Sequence, residues 1–542
     1  MSSQLKEQLE EYYTAHQKLK ELKFTYGTAG FRTKANILDS VVFVVGILAS
    51  LRSKYLDGQT IGIMITASHN PPEDNGIKLI DPQGEMLEQA WEVYATTLAN
   101  LNTSEEIYDE IIKISTQLNI KLETPSNVVI ARDSRVSGPA LADATIDGLK
   151  VLDTGYKNFD LLTTPQLHYL VRAINTQGTP VSFGEPNEEG YFKKLSTSYK
   201  KIFDGVFDGQ TPEKVKITID AANGIGGPKA QHLLSKYLSD YIDFTVVNNN
   251  YSDPEALNVG SGADYVKTNQ KLPNNVNAEP LKLYSSFDGD ADRVVFYYTD
   301  AQGVFKLLDG DKISTLLAGF FKDLVEKSNF KAEIGVVQTA YANGSSTNYI
   351  TDVLKVPVVC TPTGVKHLHH EAAKFDIGVY FEANGHGTVL FSDSFIDNLK
   401  TATPSTPHEK RAIDTLYELS QLINQTVGDA ISDLLAVLIV LSIKHWDPSN
   451  WDESYTDLPN RLAKVVVPDR HVFKTTNAER QLTSPAGLQA KIDEIVKKFQ
   501  HGRSFVRASG TEDAVRVYAE ANSRAEADQL SQEVSELVKN SV

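Results

Sequence analysis

Apolar residues alternate at Ile61, Ile63 and Ile65, and the alternation stops at Thr66-Ala67-Ser68-His69-Asn70-Pro71-Pro72. Period-two alternation predicts a strand, and two prolines cannot continue a central one. The pattern therefore places these polar residues in an exposed loop just beyond the strand's carboxyl end, where open α/β sheets bind ligands. The same grammar recurs. Val128-Val129-Ile130 predicts a strand running into Arg132-Asp133-Ser134-Arg135, with a helix starting near Ser137-Gly138-Pro139. Further strands are predicted at 216–220, 244–247, 294–298, 334–338, 358–360 and 377–381. Helical spacing covers 5–22, 41–56, 87–101, 191–203, 409–425 and 430–444. Towards the C-terminus the character changes, with strands at 462–467 and 505–507 around a helix at 485–499, alternation at 515–520 and a last helix at 524–538. The fold class is α/β: three related mixed α/β domains plus a smaller C-terminal α+β domain. The expected domains are 1–185, 186–298, 299–445 and 446–542, with a hinge near 446–458.

Length supports this division, since 542 residues exceed what one core organises. A net charge of −17 argues against broad nucleic-acid or anionic-membrane binding, which need a basic face, but leaves room for a local anion pocket. The single cysteine, Cys360, excludes an intramolecular disulfide and suits a reducing compartment. The N-terminus is acidic and amphipathic rather than basic then apolar, and the longest apolar runs are too short to span a bilayer. The expected location is cytoplasmic, with no obligate protein partner implied.

Candidate chemistry lies in four stretches. Asp288, Asp290 and Asp292 alternate with Gly289 and Ala291, so three carboxylates can face one hard cation, and Mg²⁺ suits such a set. An EF-hand is rejected because Arg293 and Thr299 stand where it needs Gly and Glu. Ser68 lacks the flanking glycines of a hydrolase elbow, so a phosphoserine beside the cation makes more sense. Arg507, Ser509, Gly510 and Thr511, with Arg516 further on, have the composition of a phosphate clamp; the rival is a helix-capping box, Ser509-x-x-Glu512. Glu382 and Asn384 follow a strand and can accept from and donate to neighbouring hydroxyls. Three other features read as structural: Ala221–Gly227 as a close-packed turn rather than a dinucleotide fingerprint, Asp309-Gly310-Asp311 as a solvated turn, and His367, His369, His370 and Glu371 as an exposed helix start rather than a zinc site.

Together the segments TASHNP, DGDADR and RASGTE, in that order, resemble the α-D-phosphohexomutase superfamily. The wording ITASHNPPEDNGIKL and the segment Phe381-Glu382-Ala383-Asn384-Gly385-His386-Gly387 resemble its acetylglucosamine branch, where Phe and Asn replace the Gly and Ser of hexose-phosphate relatives. The likeness runs from Tyr26 to beyond Arg516. It implies four domains around one central cleft and interconversion of N-acetylglucosamine 6-phosphate and 1-phosphate through a phosphoserine and a 1,6-bisphosphate, feeding UDP-N-acetylglucosamine synthesis. It also implies phosphorylation of Ser68, and one Mg²⁺ held by Asp288, Asp290, Asp292 and that phosphate. By the same resemblance His69 hydrogen-bonds the phosphate, Lys78 transfers or orients a proton, and Arg32 and Arg293 act electrostatically. Glu382, Ala383, Asn384 and His386 would read the sugar, and Arg507, Ala508, Ser509, Gly510, Thr511 and Arg516 would hold the phosphate. A Mg²⁺-dependent phosphosugar phosphatase, another hexose-phosphate mutase and a non-catalytic phosphosugar-binding protein are the alternatives.

Overall fold

Strand burial organises the computed structural model, which describes residues 2–207, 213–509 and 513–541. The first sheet contains β1 (Phe31–Lys34), β2 (Thr60–Ile65), β3 (Asp74–Ile80), β4 (Asn127–Arg132) and β5 (Gly155–Leu161), in the order β1-β3-β2-β4-β5. Every residue of β2 is buried, as its near-continuous apolar sequence requires of a strand covered on both faces. The second sheet contains β6 (Val215–Asp220), β7 (Ile242–Val247), β8 (Tyr284–Phe287), β9 (Val294–Thr299) and β10 (Phe305–Leu308), ordered β10-β9-β8-β6-β7. The third contains β11 (Ile334–Thr339), β12 (Val358–Thr361), β13 (Ile377–Phe381) and β14 (Gly387–Phe391), ordered β12-β11-β13-β14.

These three sheets share one plan. Three parallel strands are followed by one antiparallel strand in β5-β4-β2-β3, β7-β6-β8-β9 and β12-β11-β13-β14. In the first sheet the antiparallel hairpin comes before its parallel partners in the chain; in the other two it comes after. The expected relation between the three mixed domains is thus visible as topology, although no sequence repeat marks it. The C-terminal part differs: β15 (Asn460–Val466), β18 (Arg503–Ala508) and β19 (Ala514–Glu520) form an antiparallel sheet, β15-β19-β18, beside the ribbon β16 (Lys474–Thr476) and β17 (Gln481–Ser484). Val465, Val506, Val517, Ile492, Leu530 and Val534 fill its core between the sheet and two helices.

The chain folds as two units, Met1–Leu307 with Glu418–Ile443, and Leu308–Tyr417 with Lys444–Val542. The helix Ala430–Lys444 is buried from Ala430 to Leu441, which explains an apolar sequence with no polar face. No helix among the described residues is long and apolar enough to cross a membrane.

Two local expectations are corrected. The first helix covers Ser2–Tyr13, not 5–22. Beyond it His16 turns inward, its Nδ1 2.8 Å from Asp39 and its Nε2 3.2 Å from Asp147, so polar pairing overrides the helical spacing. Asp309-Gly310-Asp311 is not solvated: Asp309 is the buried N-cap of the helix Gly310–Ser328, accepting from the N–H groups of Asp311 and Lys312. The segment expected to hinge contains the helix Pro448–Asp452, pinned by a buried Trp451 whose Nε1 donates to the Lys312 carbonyl at 3.1 Å. Lys312 Nζ in turn donates to the carbonyls of Asp452 and Tyr455.

Candidate active site

All four chemistry-bearing segments connect antiparallel neighbours: β2 to β3, β8 to β9, β13 to β14 and β18 to β19. A hairpin connection holds both ends of its loop on hydrogen-bonded strands, so the side chains it carries are set by the sheet. In the first three sheets it is the equivalent hairpin each time.

In the first unit the start of the Ser68 loop is buried rather than exposed, with Thr66, Ala67 and Ser68 almost wholly covered, while Pro71 at its tip stays exposed. A set of side-chain hydrogen bonds braces the loop backbone. Arg135, itself fully buried, donates to the carbonyls of Ser68, Asn70, Pro71 and Asp74 at 2.6–3.0 Å, and Asn258 Nδ2 donates to those of Ser68 and Asn70 at 2.9 and 3.1 Å. Asp133 accepts from both Arg135 Nε and the Thr66 hydroxyl. Ser68 sits at φ 51°, a left-handed conformation that costs a non-glycine residue about 1 kcal/mol or more and that this bracing sustains. Its hydroxyl donates to Asp288 Oδ2 at 2.6 Å.

Asp288, Asp290 and Asp292 bring one carboxylate oxygen each within 4.8 Å of one another, and they form the only such metal-ligand group among the described residues. Burial and mutual repulsion raise the pKa of Asp288 far above the carboxylate range, and burial with the charge of Asp292 raises that of Asp290. Asp290 Oδ2 accepts from Thr164 at 2.5 Å, while its Oδ1 is buried with no hydrogen-bond partner among the described residues. A buried acid set with an orphaned oxygen fits a hard divalent cation. Backbone packing holds the loop from below. A Cβ at Gly224 would sit against the Gly289 carbonyl, one at Gly226 would meet Ala291 Cβ at 2.6 Å, and Ile225 N–H donates to the Gly289 carbonyl at 3.1 Å. The turn Ala221–Gly227 is therefore a buttress for the aspartate loop, in keeping with the close-packing reading.

Basic groups surround the pair. Lys78 Nζ lies 3.6 Å from Asp292, and Arg293 Nε lies 3.9 Å from both Asp288 and Asp292. Arg32, opposite Gly76 on β3, reaches Asn70 Oδ1 at 3.4 Å, and its Nε is buried without a hydrogen-bond partner among the described residues. Burial and then the neighbouring Arg293 lower the pKa of Arg32. Burial, Arg293 and Arg32 push His69 down to about 2, so its imidazole is neutral at any working pH.

In the second unit the Glu382 loop closes on itself through Glu382 N–H to the His386 carbonyl at 2.8 Å, with Asn384 Nδ2 3.4 Å from Glu382 Oε2. Glu382, Ala383 and Asn384 are half-buried and His386 is buried. Gly310 makes room for this loop, because a Cβ there would collide with the Glu382 carbonyl. On the C-terminal sheet Arg507 pairs with Arg516 across β18 and β19, and Arg516 with Lys464 across β19 and β15. Directly opposed residues share a face, so three cations lie in one row, an arrangement that is destabilising unless anions balance it. Ala508 ends β18, and Ser509 N–H donates to the Ala514 carbonyl at 2.8 Å. Gly510 and Thr511 lie outside the described residues, as does Glu512. The chain leaves β18 at Ala508 and enters β19 at Ala514. The histidine cluster lies on the helix Val365–Ala372, with His369 Nδ1 2.9 Å from the Tyr380 hydroxyl, and joins no metal-ligand group among the described residues.

Sequence reasoning missed Arg135, Asn258 and Gly310, which meet backbone, Lys464, which joins its row across strands, and Thr164 and Glu479, which meet the side chains of Asp290 and Arg507. Only the short Arg-Asp-Ser-Arg run at a strand end hinted at one of them.

The sequence matches "Phosphoacetylglucosamine mutase AMG1, domain II" over residues 185–295 and domain III over 309–446. It also matches "Phosphoglucomutase/phosphomannomutase" domain I over 48–105 and 100–183, and the C-terminal domain over 462–537. A phosphoacetylglucosamine mutase of Candida albicans is 57% identical over 99% of this chain and 100% of its own. An N-acetylglucosamine-phosphate mutase of the α-D-phosphohexomutase superfamily, solved in a product complex, superposes with a TM-score of 0.95 at 58% identity, covering 99% and 100% of the two chains. The Aspergillus fumigatus N-acetylphosphoglucosamine mutase, solved with GlcNAc-6P and magnesium, gives 0.94 at 50% identity over 99% of both chains. A serine-to-alanine form of that mutase, solved with glucose 1,6-bisphosphate, gives 0.94 over 99% and 98%.

Proposed function

Because the chain belongs to the phosphoacetylglucosamine mutase family of the α-D-phosphohexomutase superfamily, we propose that its four hairpin loops divide one phosphoryl-transfer reaction between them. The reaction interconverts N-acetylglucosamine 6-phosphate and N-acetylglucosamine 1-phosphate. The observation that carries the assignment of residues is the Ser68 hydroxyl, 2.6 Å from an aspartate of the buried triplet.

Ser68 carries the exchangeable phosphoryl group. It gives that group to O1 of the 6-phosphate, which leaves a serine hydroxyl and a 1,6-bisphosphate. The bisphosphate turns, Ser68 takes the phosphoryl group from O6, and the 1-phosphate departs. Asp288, Asp290 and Asp292 would hold Mg²⁺, which supplies charge neutralisation at the transferring phosphate. The buried Arg32 Nε is a donor for a phosphate oxygen, and Arg293 adds positive charge beside the triplet. His69 offers a hydrogen bond to the phosphate. Lys78 reaches the triplet from β3 and handles or orients the proton of the sugar hydroxyl. Glu382, Ala383, Asn384 and His386 read the sugar; Arg507, Ala508, Ser509, Gly510, Thr511 and Arg516 hold the non-reacting phosphate, with Lys464 as a further cation of that row. The four-domain division at 1–185, 186–298, 299–445 and 446–542 remains part of this reading. The enzyme is cytoplasmic, needs no nucleic acid, membrane or obligate protein partner, and its product feeds nucleotide-sugar synthesis.

³¹P NMR of N-acetylglucosamine 6-phosphate with the purified enzyme and Mg²⁺ tests this. The 1-phosphate should form at the expense of the 6-phosphate, and chelator should stop it. Inorganic phosphate as the main product would make the protein a phosphatase.

A further inference from the structure

Between β16 and β17 the turn residues Asn477, Ala478 and Glu479 are all left-handed, with φ of 52°, 54° and 65°. This turn places an acid against the proposed phosphate clamp. Glu479 Oε1 lies 3.4 Å from Arg507 Nε, while its Oε2 accepts from the Thr363 N–H at 2.9 Å and from the Thr363 hydroxyl. Both partners are largely covered, with side-chain exposures of 18% for Glu479 and 21% for Arg507. Two hydrogen bonds therefore tether the carboxylate through the oxygen that does not face Arg507 Nε, and the turn backbone fixes where the side chain starts. An ordinary surface acid would swing into water when a phosphate arrives at its arginine. This one stays.

We propose that Glu479 is a fixed counter-charge that weakens the clamp's hold on phosphate, so that the bisphosphate can let go by one phosphate and be taken up again by the other. The inference rests on the reading of Arg507 and Arg516 as the clamp. Without that acid Arg507 would hold a dianion more tightly, and a mutase that turns its intermediate within each cycle gains from a grip that releases. One fixed negative charge several ångströms from a bound phosphate lowers affinity by about tenfold once solvent screening is allowed for. Glu479 is thus a tuning residue that offsets part of the positive charge of Arg507.

The test uses the full-length enzyme, with inorganic phosphate as a competitive inhibitor of N-acetylglucosamine 6-phosphate turnover. Glu479→Gln should lower the phosphate Ki by about tenfold, lower KM and lower kcat, since release becomes slower. Glu479→Ala removes the same charge without an amide and should tighten phosphate binding to the same extent. Glu479→Asp keeps the charge and should leave Ki within about threefold of wild type. A Ki that rises in Glu479→Gln and Glu479→Ala would mean that the carboxylate merely orients Arg507, and the proposal would fall. Arg507→Ala separates the two layers of the argument. If its Ki for phosphate is unchanged, the clamp reading itself has failed; if its Ki rises while Glu479→Gln and Glu479→Ala match wild type, only the counter-charge is wrong.

Discussion

Ser68 shows how burial changes what a single residue can be expected to do. Read as part of an exposed loop, its hydroxyl contributes little to stability; in the structure it is 1% exposed and donates to Asp288. Ser68→Ala should abolish isomerisation, and it should also cost about 1–2 kcal/mol of stability, the worth of one hydrogen bond to a buried carboxylate. The cost stays modest because Asp288 Oδ1 keeps the N–H groups of Asp292 and Arg293, each at 3.1 Å. Turnover assays and thermal unfolding check both halves, and near-wild-type turnover would remove Ser68 from the mechanism. His69 makes the complementary point. A histidine beside a phosphoryl acceptor invites an acid–base role, yet burial and two arginines hold it neutral.

At the scale of elements, the turn before the helix Gly226–Tyr237 matters more than its glycines suggest on their own. Gly224→Ala should force the Gly289 backbone aside, cost about 1–3 kcal/mol and raise the Mg²⁺ concentration needed for activity. Gly205, near the end of the helix Glu188–Val206, has nothing within 4 Å of the position of a Cβ. Gly205→Ala should stabilise by about 0.5–1 kcal/mol and leave the Mg²⁺ requirement alone. Equal Mg²⁺ titrations for the two variants would show that the buttress does not position the triplet. The N-terminal segment offers a pH test. Its His16 has a raised pKa, first because of its hydrogen bond to Asp39. A folded-state pKa above the unfolded value means that the protonated form stabilises. The contribution is fully present below about pH 6.5 and is lost as pH rises through the higher folded value. His16→Gln should flatten the pH dependence of unfolding in that range, measured by denaturant melts from pH 5 to 9. A wild-type-like slope in the variant would mean that the ion pairs with Asp39 and Asp147 contribute nothing.

Across the whole molecule the proposed site residues are divided between the two units. The first carries Ser68, the aspartate triplet, Lys78, Arg32 and Arg293, and the second carries the Glu382 loop and the Arg507 row. Substrate choice should therefore be separable from phosphoryl transfer. Glu382→Ala should lower kcat/KM for N-acetylglucosamine 6-phosphate by more than tenfold, on a scale of about 1.5–3 kcal/mol for a charged hydrogen bond, while leaving phosphorylation of Ser68 detectable by intact mass. Asn384→Ser should narrow the preference for the acetylated sugar over glucose 6-phosphate; an unchanged ratio of kcat/KM values would take Asn384 out of sugar selection. Much of this was legible beforehand. Apolar runs broken by polar turns located at least one strand beside each of the four loops, because side-chain alternation is a local consequence of the pleat, but β8 and β14 went unpredicted. Three aspartates at alternate positions pointed to a cation-binding set, because ligand chemistry is written in residue type and short spacing, and the fold brings one oxygen of each within 4.8 Å of the others. What lay outside the sequence's reach were relations between distant residues. Arg135 and Asn258 hold carbonyls, and carbonyls carry no residue identity. Gly224 and Gly310 are needed because another backbone passes where a Cβ would be. Lys464 joins Arg516 and Arg507 only through strand register. Whether Ser68 or Asp309 meets water is likewise decided by what the rest of the chain packs over them, and only the tertiary structure holds that information.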